Sequence, residues 1–339
     1  MKAAAPSYIQ TNLKKDQGLK AIYDQVTQEL EQVERILKEM TNSSNPLIVE
    51  IGNYLFRKSG KRIRPALLLL CSKLLGYKGS QDILFSALIE AIHTASLIHD
   101  DIIDNSNLRR GQKTVHAKWG PNITVLLGDY LYIKTIDKAL KNSSRKILEV
   151  LTEVTSEMIE GEIIEYYHSG NLELKEEEYY DIIKKKTASL FSAACQISGI
   201  LAESNKETEV KLAQFGLNLG MTFQIIDDLL DFTGDEKRLG KPPLSDLREG
   251  RITLPLIFLF QNGNKHYKNK IAEYFKNKDS SDSLKTEIID IVKDIGFIVA
   301  YAQQSGVIHH QHDPFTLPRF PMGGPFATLA DFKSKVAIK

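Results

Sequence analysis

Residues 97–111 read LIHDDIIDNSNLRRG, and the chain is organised around the three carboxylates of that stretch, Asp100, Asp101 and Asp104. On a helix of about 3.6 residues per turn, positions i, i+1 and i+4 share one side. Three carboxylates there repel one another unless cations sit between them. Hard oxygen donors of this kind suit Mg²⁺, which keeps several waters and shares the rest of its shell with phosphate oxygens. The pattern returns 127 residues further on in FQIIDDLLDFTGD, with Asp227, Asp228 and Asp231 at the same spacing. One such motif alone reads as an acidic helix face in water. Two copies, each inside an apolar run and followed by basic residues, read as two walls of one cavity.

The bulk properties narrow the field. With 339 residues the chain is long enough for a sizeable core. Its 44 basic and 43 acidic residues nearly cancel, which speaks against a nucleic-acid binder and leaves local charge clusters to carry the chemistry. Cys71 and Cys195 lie in apolar runs and read as small buried hydrophobes, with no disulfide framework or zinc spacing. The first residues, MKAAAPSYIQTNLKK, lack the apolar core of a signal peptide and lack arginine. The run PALLLLCSKLLG from Pro65 is too short to cross a bilayer. A soluble, cytoplasmic protein is the expectation.

Helical periodicity dominates. Leu19, Ile22, Val26, Leu30, Val33, Leu37 and Met40 recur every three or four residues, and the breaker cluster TNSSNP follows at Thr41. Further helices are expected from about Leu47, from Pro65, from Asp82 through the first acidic cluster, over 122–140, over 145–167, from Glu176 to about Ala202, and over 207–232. Helices resume near Thr253. No convincing strand pattern and no short-period repeat appear, so the fold class is all-α, in one domain over 1–339 around a central cavity. Residues 1–16 form an N-terminal arm. Residues 301–339, rich in proline and glycine, stand apart, and His309, His310 and His312 beside Pro314 read as a solvated loop.

Five motifs, in order, resemble one family: GKRIRP, HTASLIHDDIIDNSNLRRG, KKKTASLF, FQIIDDLLD and GKPP…DLREGRITLP. From about Gly60 to Pro255 the chain is similar to the trans-isoprenyl diphosphate synthases, which make geranylgeranyl and longer polyprenyl diphosphates. The resemblance implies an isoprenoid-synthase-type helical bundle and a condensation of isopentenyl diphosphate with an allylic diphosphate. It implies about three Mg²⁺ ions, held chiefly by Asp100, Asp104 and Asp227, with Asp101, Asp228 and Asp231 as ligands or as partners that orient the ligands. Arg109, Lys186 and Lys241 match positions that bind the allylic diphosphate, and Thr187 and Gln224 match polar positions near the developing cation. Lys61, Arg64, His93 and Arg110 match the positions that meet the isopentenyl diphosphate, where arginine forks suit phosphate oxygens. The resemblance also implies a homodimer and contact with membranes only through the product. Two departures stand out: the divergent C-terminal segment, and Leu244 where the family commonly has glycine.

Ala95 and Ser96, the fifth and fourth residues before Asp100, lie roughly 6–8 Å below it on a helix. Their small side chains imply an open tunnel and a product of geranylgeranyl length or longer, with long chains preferred; the competing reading is that they are small for helix packing. Three alternatives remain beside the synthase. A terpene cyclase shares the first acidic motif but normally has a mixed second one. A non-catalytic or partner-dependent subunit of a heteromeric synthase tends to lose charged site residues, which are all present here. A purely structural helical protein gains nothing from two buried acidic clusters.

Overall fold

The helix that carries the first acidic cluster lies in the core. In this computed structural model, which describes residues 19–58, 60–109, 111–142, 144–233, 244–262 and 268–272, α4 (Gln81–Ile103) buries Phe85, Leu88, Ile89, Ile92, Ala95 and Ile98. It packs against α1 (Thr27–Glu39), α3 (Ile63–Leu74), α6 (Pro121–Asn142) and α9 (Ser189–Leu201). By length and composition α4 could cross a membrane, but two-thirds of its most apolar window, 67%, is buried inside the protein.

Local chemistry sets the helix ends. The Asn45 side chain accepts a hydrogen bond from the Leu47 N–H at 3.0 Å, and Pro46 opens α2 (Pro46–Leu55), where its missing donor costs nothing. Thr114 caps α5 (Val115–Trp119) in the same way, through the Ala117 N–H at 3.1 Å. The periodic run from Leu19 is interrupted by a turn at residues 25–26 before α1 begins. The expected helix over 145–167 is α7 (Arg145–Tyr167), and that over 207–232 is α10 (Lys206–Thr233).

Two features lay beyond the pattern. Leu108–Arg109 (β1) and Gln112–Lys113 (β2) form a two-residue antiparallel pair, with Gly111 in the left-handed region at φ +70°. The helix from Glu176 is also not continuous: α8 (Glu176–Ile183) passes into a π-helical turn, Lys184–Ala188, before α9. That turn is wedged between two glycines. A Cβ on Gly161 of α7 would lie 2.6 Å from the Lys186 backbone nitrogen, and one on Gly220 of α10 would lie 2.5 Å from the Ala188 Cα.

Two larger clusters make up most of the core. One joins α1, α3, α4, α6, α7 and α9 through residues such as Val33, Leu68, Leu88, Leu131, Leu151 and Leu190. The other joins α8 and α10 to α11 (Ser245–Arg248) and α12 (Leu254–Asn262) through Ile182, Leu229, Leu247 and Leu256. Cys71 and Cys195 belong to a small third cluster between α3 and α9; both are buried and unbridged, their sulfurs 3.9 Å apart. The N-terminal arm, the segment 301–339 with its histidines, Arg110 and Lys241 lie outside the described residues.

Candidate active site

A cavity of about 470 Å³ opens between the two larger clusters, within the range of small-molecule sites. Asp100 and Asp104, at the C-terminal end of α4, line one wall, and Asp227 and Asp228 on α10 line the other. The two halves of the acidic pattern therefore meet across one space. Arg64, His93, Ser96, Arg109, Lys186, Thr187 and Gln224 line the same cavity. Lys61 is exposed and is not among its lining residues, and Ala95 is fully buried in the core behind it.

Asp101 and Asp231 do not face the cavity. Asp101 is buried and accepts a hydrogen bond from Arg109 Nε at 2.7 Å, which holds Arg109 beside the first cluster. Asp231 is buried and accepts from the Ser245 hydroxyl at 2.6 Å and the Asp246 N–H at 3.1 Å, anchoring the start of α11. The i, i+1, i+4 spacing gives one side of a helix, but partners on neighbouring segments decide which carboxylates the cavity receives. Leu244, where the family commonly has glycine, has φ +59° and is wholly buried, so it holds a backbone conformation that glycine adopts without strain.

Asp228 sits in a buried chain of hydrogen bonds. Gln224 donates to one of its oxygens at 2.6 Å and Tyr179 to the other at 2.7 Å, while Thr187 donates to the Gln224 carbonyl at 2.8 Å. Burial and then the nearby Asp246 push the Asp228 carboxyl up to about 7, against the lowering effect of Gln224 and Tyr179. Asp100 is pushed up to about 7 as well, by burial and then by Glu162, with Lys186 and Arg109 pulling the other way.

The π-helical turn delivers Lys186 to the cavity, where its ammonium meets Glu162 at 2.6 Å and Glu165 of the same helix. Burial favours the neutral amine, but Glu165, Glu162 and Asp100 outweigh it and hold the lysine above its ordinary pKa. Arg251, on the segment after α11, reaches back 147 positions to Asp104 at 3.3 Å and also binds Asp246 at 3.0 Å and Glu249. Arg64 is buried with its guanidinium carbon 4.5 Å from the centre of the Phe191 ring, and its Nε has no hydrogen-bond partner among the described residues. Burial lowers it to about 10 even with Glu90 nearby.

Glu162, Glu165, Tyr179, Asp246 and Arg251 are the site residues that sequence reasoning missed. A signal existed for two of them: Glu162 and Glu165, three apart, interrupt the apolar face of MIEGEIIEYY, where carboxylates on the cavity side of a helix would show. Arg251 lies within the quoted run DLREGRITLP, but its partner Asp104 is visible only in three dimensions.

A divalent ion fits this donor set. Asp100, Asp104 and Asp227 offer hard oxygen atoms from two facing walls, with cationic side chains between them for an anionic ligand. Among the described residues no three ligating side chains close into a ready-made metal cage.

Known proteins resemble this chain. Residues 45–292 match the family model described as polyprenyl synthetase. Octaprenyl diphosphate synthase of Escherichia coli is 40% identical over 246 residues, 73% of this chain and 76% of that protein. Heptaprenyl diphosphate synthase component 2 of Bacillus subtilis is 32% identical over 321 residues, 94% of this chain and 91% of that protein. Among solved structures, geranylgeranyl pyrophosphate synthetase from Pyrococcus horikoshii superposes with a TM-score of 0.75 at 32% identity, covering 82% of this chain and 86% of its own.

Proposed function

Because the chain belongs to the polyprenyl synthetase family of prenyltransferases, we propose that it condenses isopentenyl diphosphate with an allylic diphosphate, in a Mg²⁺-dependent reaction, to a product of geranylgeranyl length or longer. The observation that carries this reading is the single cavity lined by Asp100 and Asp104 on one wall, Asp227 and Asp228 on the other, and Arg64, Arg109, Lys186 and Arg251 around them.

Asp100, Asp104 and Asp227 would hold the divalent ions, about three by resemblance, and the ions would supply Lewis acidity to a departing diphosphate. The remaining work falls to the chain's own side chains. Lys186, Arg109 and Arg251 neutralise the allylic diphosphate, and each must exchange a carboxylate partner for a phosphate oxygen to do so. Thr187 and Gln224, fixed by Asp228 and Tyr179, present oxygen atoms towards the carbon that becomes cationic when the allylic C–O bond breaks. Arg64, whose Nε has no partner among the described residues, and His93 receive the isopentenyl diphosphate, whose double bond attacks that carbon. Arg110, Lys61 and Lys241 join these sets by resemblance. Released diphosphate accepts the eliminated proton.

Ser96, small and on the cavity wall, supports the open-tunnel reading of product length. A second copy of the chain is the partner inferred for α6, whose Leu126, Ile133 and Leu140 recur every seven residues and are 63, 69 and 65% exposed. A partner-dependent synthase is the second reading, favoured by the similarity to a relative named component 2.

Product analysis tests all of this. Purified protein, Mg²⁺ and isopentenyl diphosphate are incubated with dimethylallyl, geranyl, farnesyl or geranylgeranyl diphosphate in turn. Products growing by five-carbon steps support condensation, and the longest gives the length. A cyclic hydrocarbon overturns it in favour of a cyclase, and no turnover from folded protein favours the partner-dependent reading. Ser96→Phe is expected to shorten the products by at least one five-carbon unit; an unchanged spectrum rejects Ser96 as part of the tunnel wall.

A further inference from the structure

Arg62 lies in the motif GKRIRP between Lys61 and Arg64, yet it does not line the cavity. Its backbone is left-handed, at φ +51° and ψ 39°, immediately before α3 begins. A non-glycine residue holds that conformation only where its surroundings force it. The forcing contacts are plain. The guanidinium donates to both oxygens of Glu34 on α1, at 2.6 and 3.0 Å, and to Glu90 on α4 at 2.6 Å. Arg62 is 8% exposed and Glu90 5%. The flanking chain is fixed from a third side, where the Tyr23 hydroxyl donates to the Lys61 carbonyl at 2.9 Å.

Two candidate ligand residues flank this clamp. Its left-handed turn leaves Lys61 exposed while Arg64, one residue into α3, is buried against Phe191 and aimed into the cavity. Glu90 is also three residues, less than one helical turn, before His93 on α4. One ion network therefore joins the stretch that carries Lys61 and Arg64 to the helix that carries His93.

We propose that Arg62 is a positioning residue for the isopentenyl diphosphate subsite, its clamp on Glu34 and Glu90 setting the turn from which Lys61 and Arg64 are presented. This rests on the functional reading above. A purely structural brace would affect stability, or both substrates alike; a positioning clamp weakens one diphosphate selectively.

The test measures isopentenyl diphosphate binding by calorimetry, without metal and without an allylic partner, so that no turnover is needed. The double variant Arg62→Met/Glu90→Leu removes both buried charges and keeps apolar bulk, and Arg62→Lys keeps the charge but not the fork. Circular dichroism establishes that each is folded. The double variant is expected to bind isopentenyl diphosphate at least tenfold more weakly, with Arg62→Lys between it and the unmodified protein. In turnover, KM for isopentenyl diphosphate rises while KM for the allylic diphosphate stays within twofold. A folded double variant with unchanged affinity overturns the proposal, as does an equal rise in both KM values or an unmodified protein that does not bind isopentenyl diphosphate. Selective loss of binding in a protein that makes no product from any primer keeps the clamp and rejects the condensation.

Discussion

Lys186 is the side chain on which most of the site's charges converge, since Glu162, Glu165 and Asp100 all act on it. Lys186→Ala is expected to lower kcat/KM by roughly 10²–10³, the usual loss when one preorganised stabilising donor is removed; steady-state kinetics checks it, and a change below threefold removes Lys186 from the reaction. Asp228 and Asp100 make a second prediction, about pH. Their carboxyls are raised to about 7 in the fold, whereas an unfolded chain releases such protons near 4. At these two groups the folded form therefore binds more protons, so the stability they contribute is fully present below pH ~4 and is lost as pH rises towards and through 7, by ~4 kcal/mol for a three-unit shift. In a chelator the melting temperature should drop between pH 5 and 8, and Asp228→Asn, which stays neutral, should flatten part of that slope. Mg²⁺ with diphosphate should raise the melting temperature more at pH 8 than at pH 5. The acidic clusters were legible because their spacing is local. That Asp101 serves Arg109 and Asp231 serves α11 was not legible, because those partners are fixed by packing rather than by spacing.

Among the elements, the π-helical turn between α8 and α9 matters most for the site. Sequence periodicity gave a single helix from Glu176 to about Ala202, since the phase changes within KKKTA, where no large apolar residue registers the shift. Neighbouring helices come close against the turn at Gly161 and Gly220, where a Cβ would meet its backbone. Such turns recur at functional sites because they re-aim side chains. Gly161→Ala should cost ~1–3 kcal/mol through overpacking and lower activity beyond the loss of folded protein, by shifting Lys186. Thermal melting and kcat on the folded fraction check it, and full activity in a destabilised variant rejects the link. Leu244 shows the opposite case: the motif pattern marked the position, and the structure finds a left-handed backbone there. The other long helices were legible to within a few residues because their apolar stripes and breakers coincide, whereas the short α5 and α11 were not.

At the scale of the whole molecule, the all-α architecture could be read from periodicity, whereas the way the chain returns on itself could not. Arg251 and Asp104 meet only because the segment after α11 lies against the end of α4. The exposed row Leu126, Ile133 and Leu140 likewise appears only once the rest of α6 is buried. The proposed pairing of two copies predicts that Leu126→Glu/Ile133→Glu halves the mass found by light scattering on a sizing column. An unmodified protein that elutes as a monomer rejects self-pairing through α6.

The π-helical turn also divides the helix over 176–201 into two separately phased pieces. Residues before it are addressed to the core of α10 and α12, and residues after it to α3, α7 and α10. Removing one residue from the turn would rotate one piece by about 100° against the other, the angle each helical residue occupies. No remaining side chain would have changed, yet Lys186 and everything beyond it would be delivered to a different address. In this stretch the count of residues carries as much information as their identity.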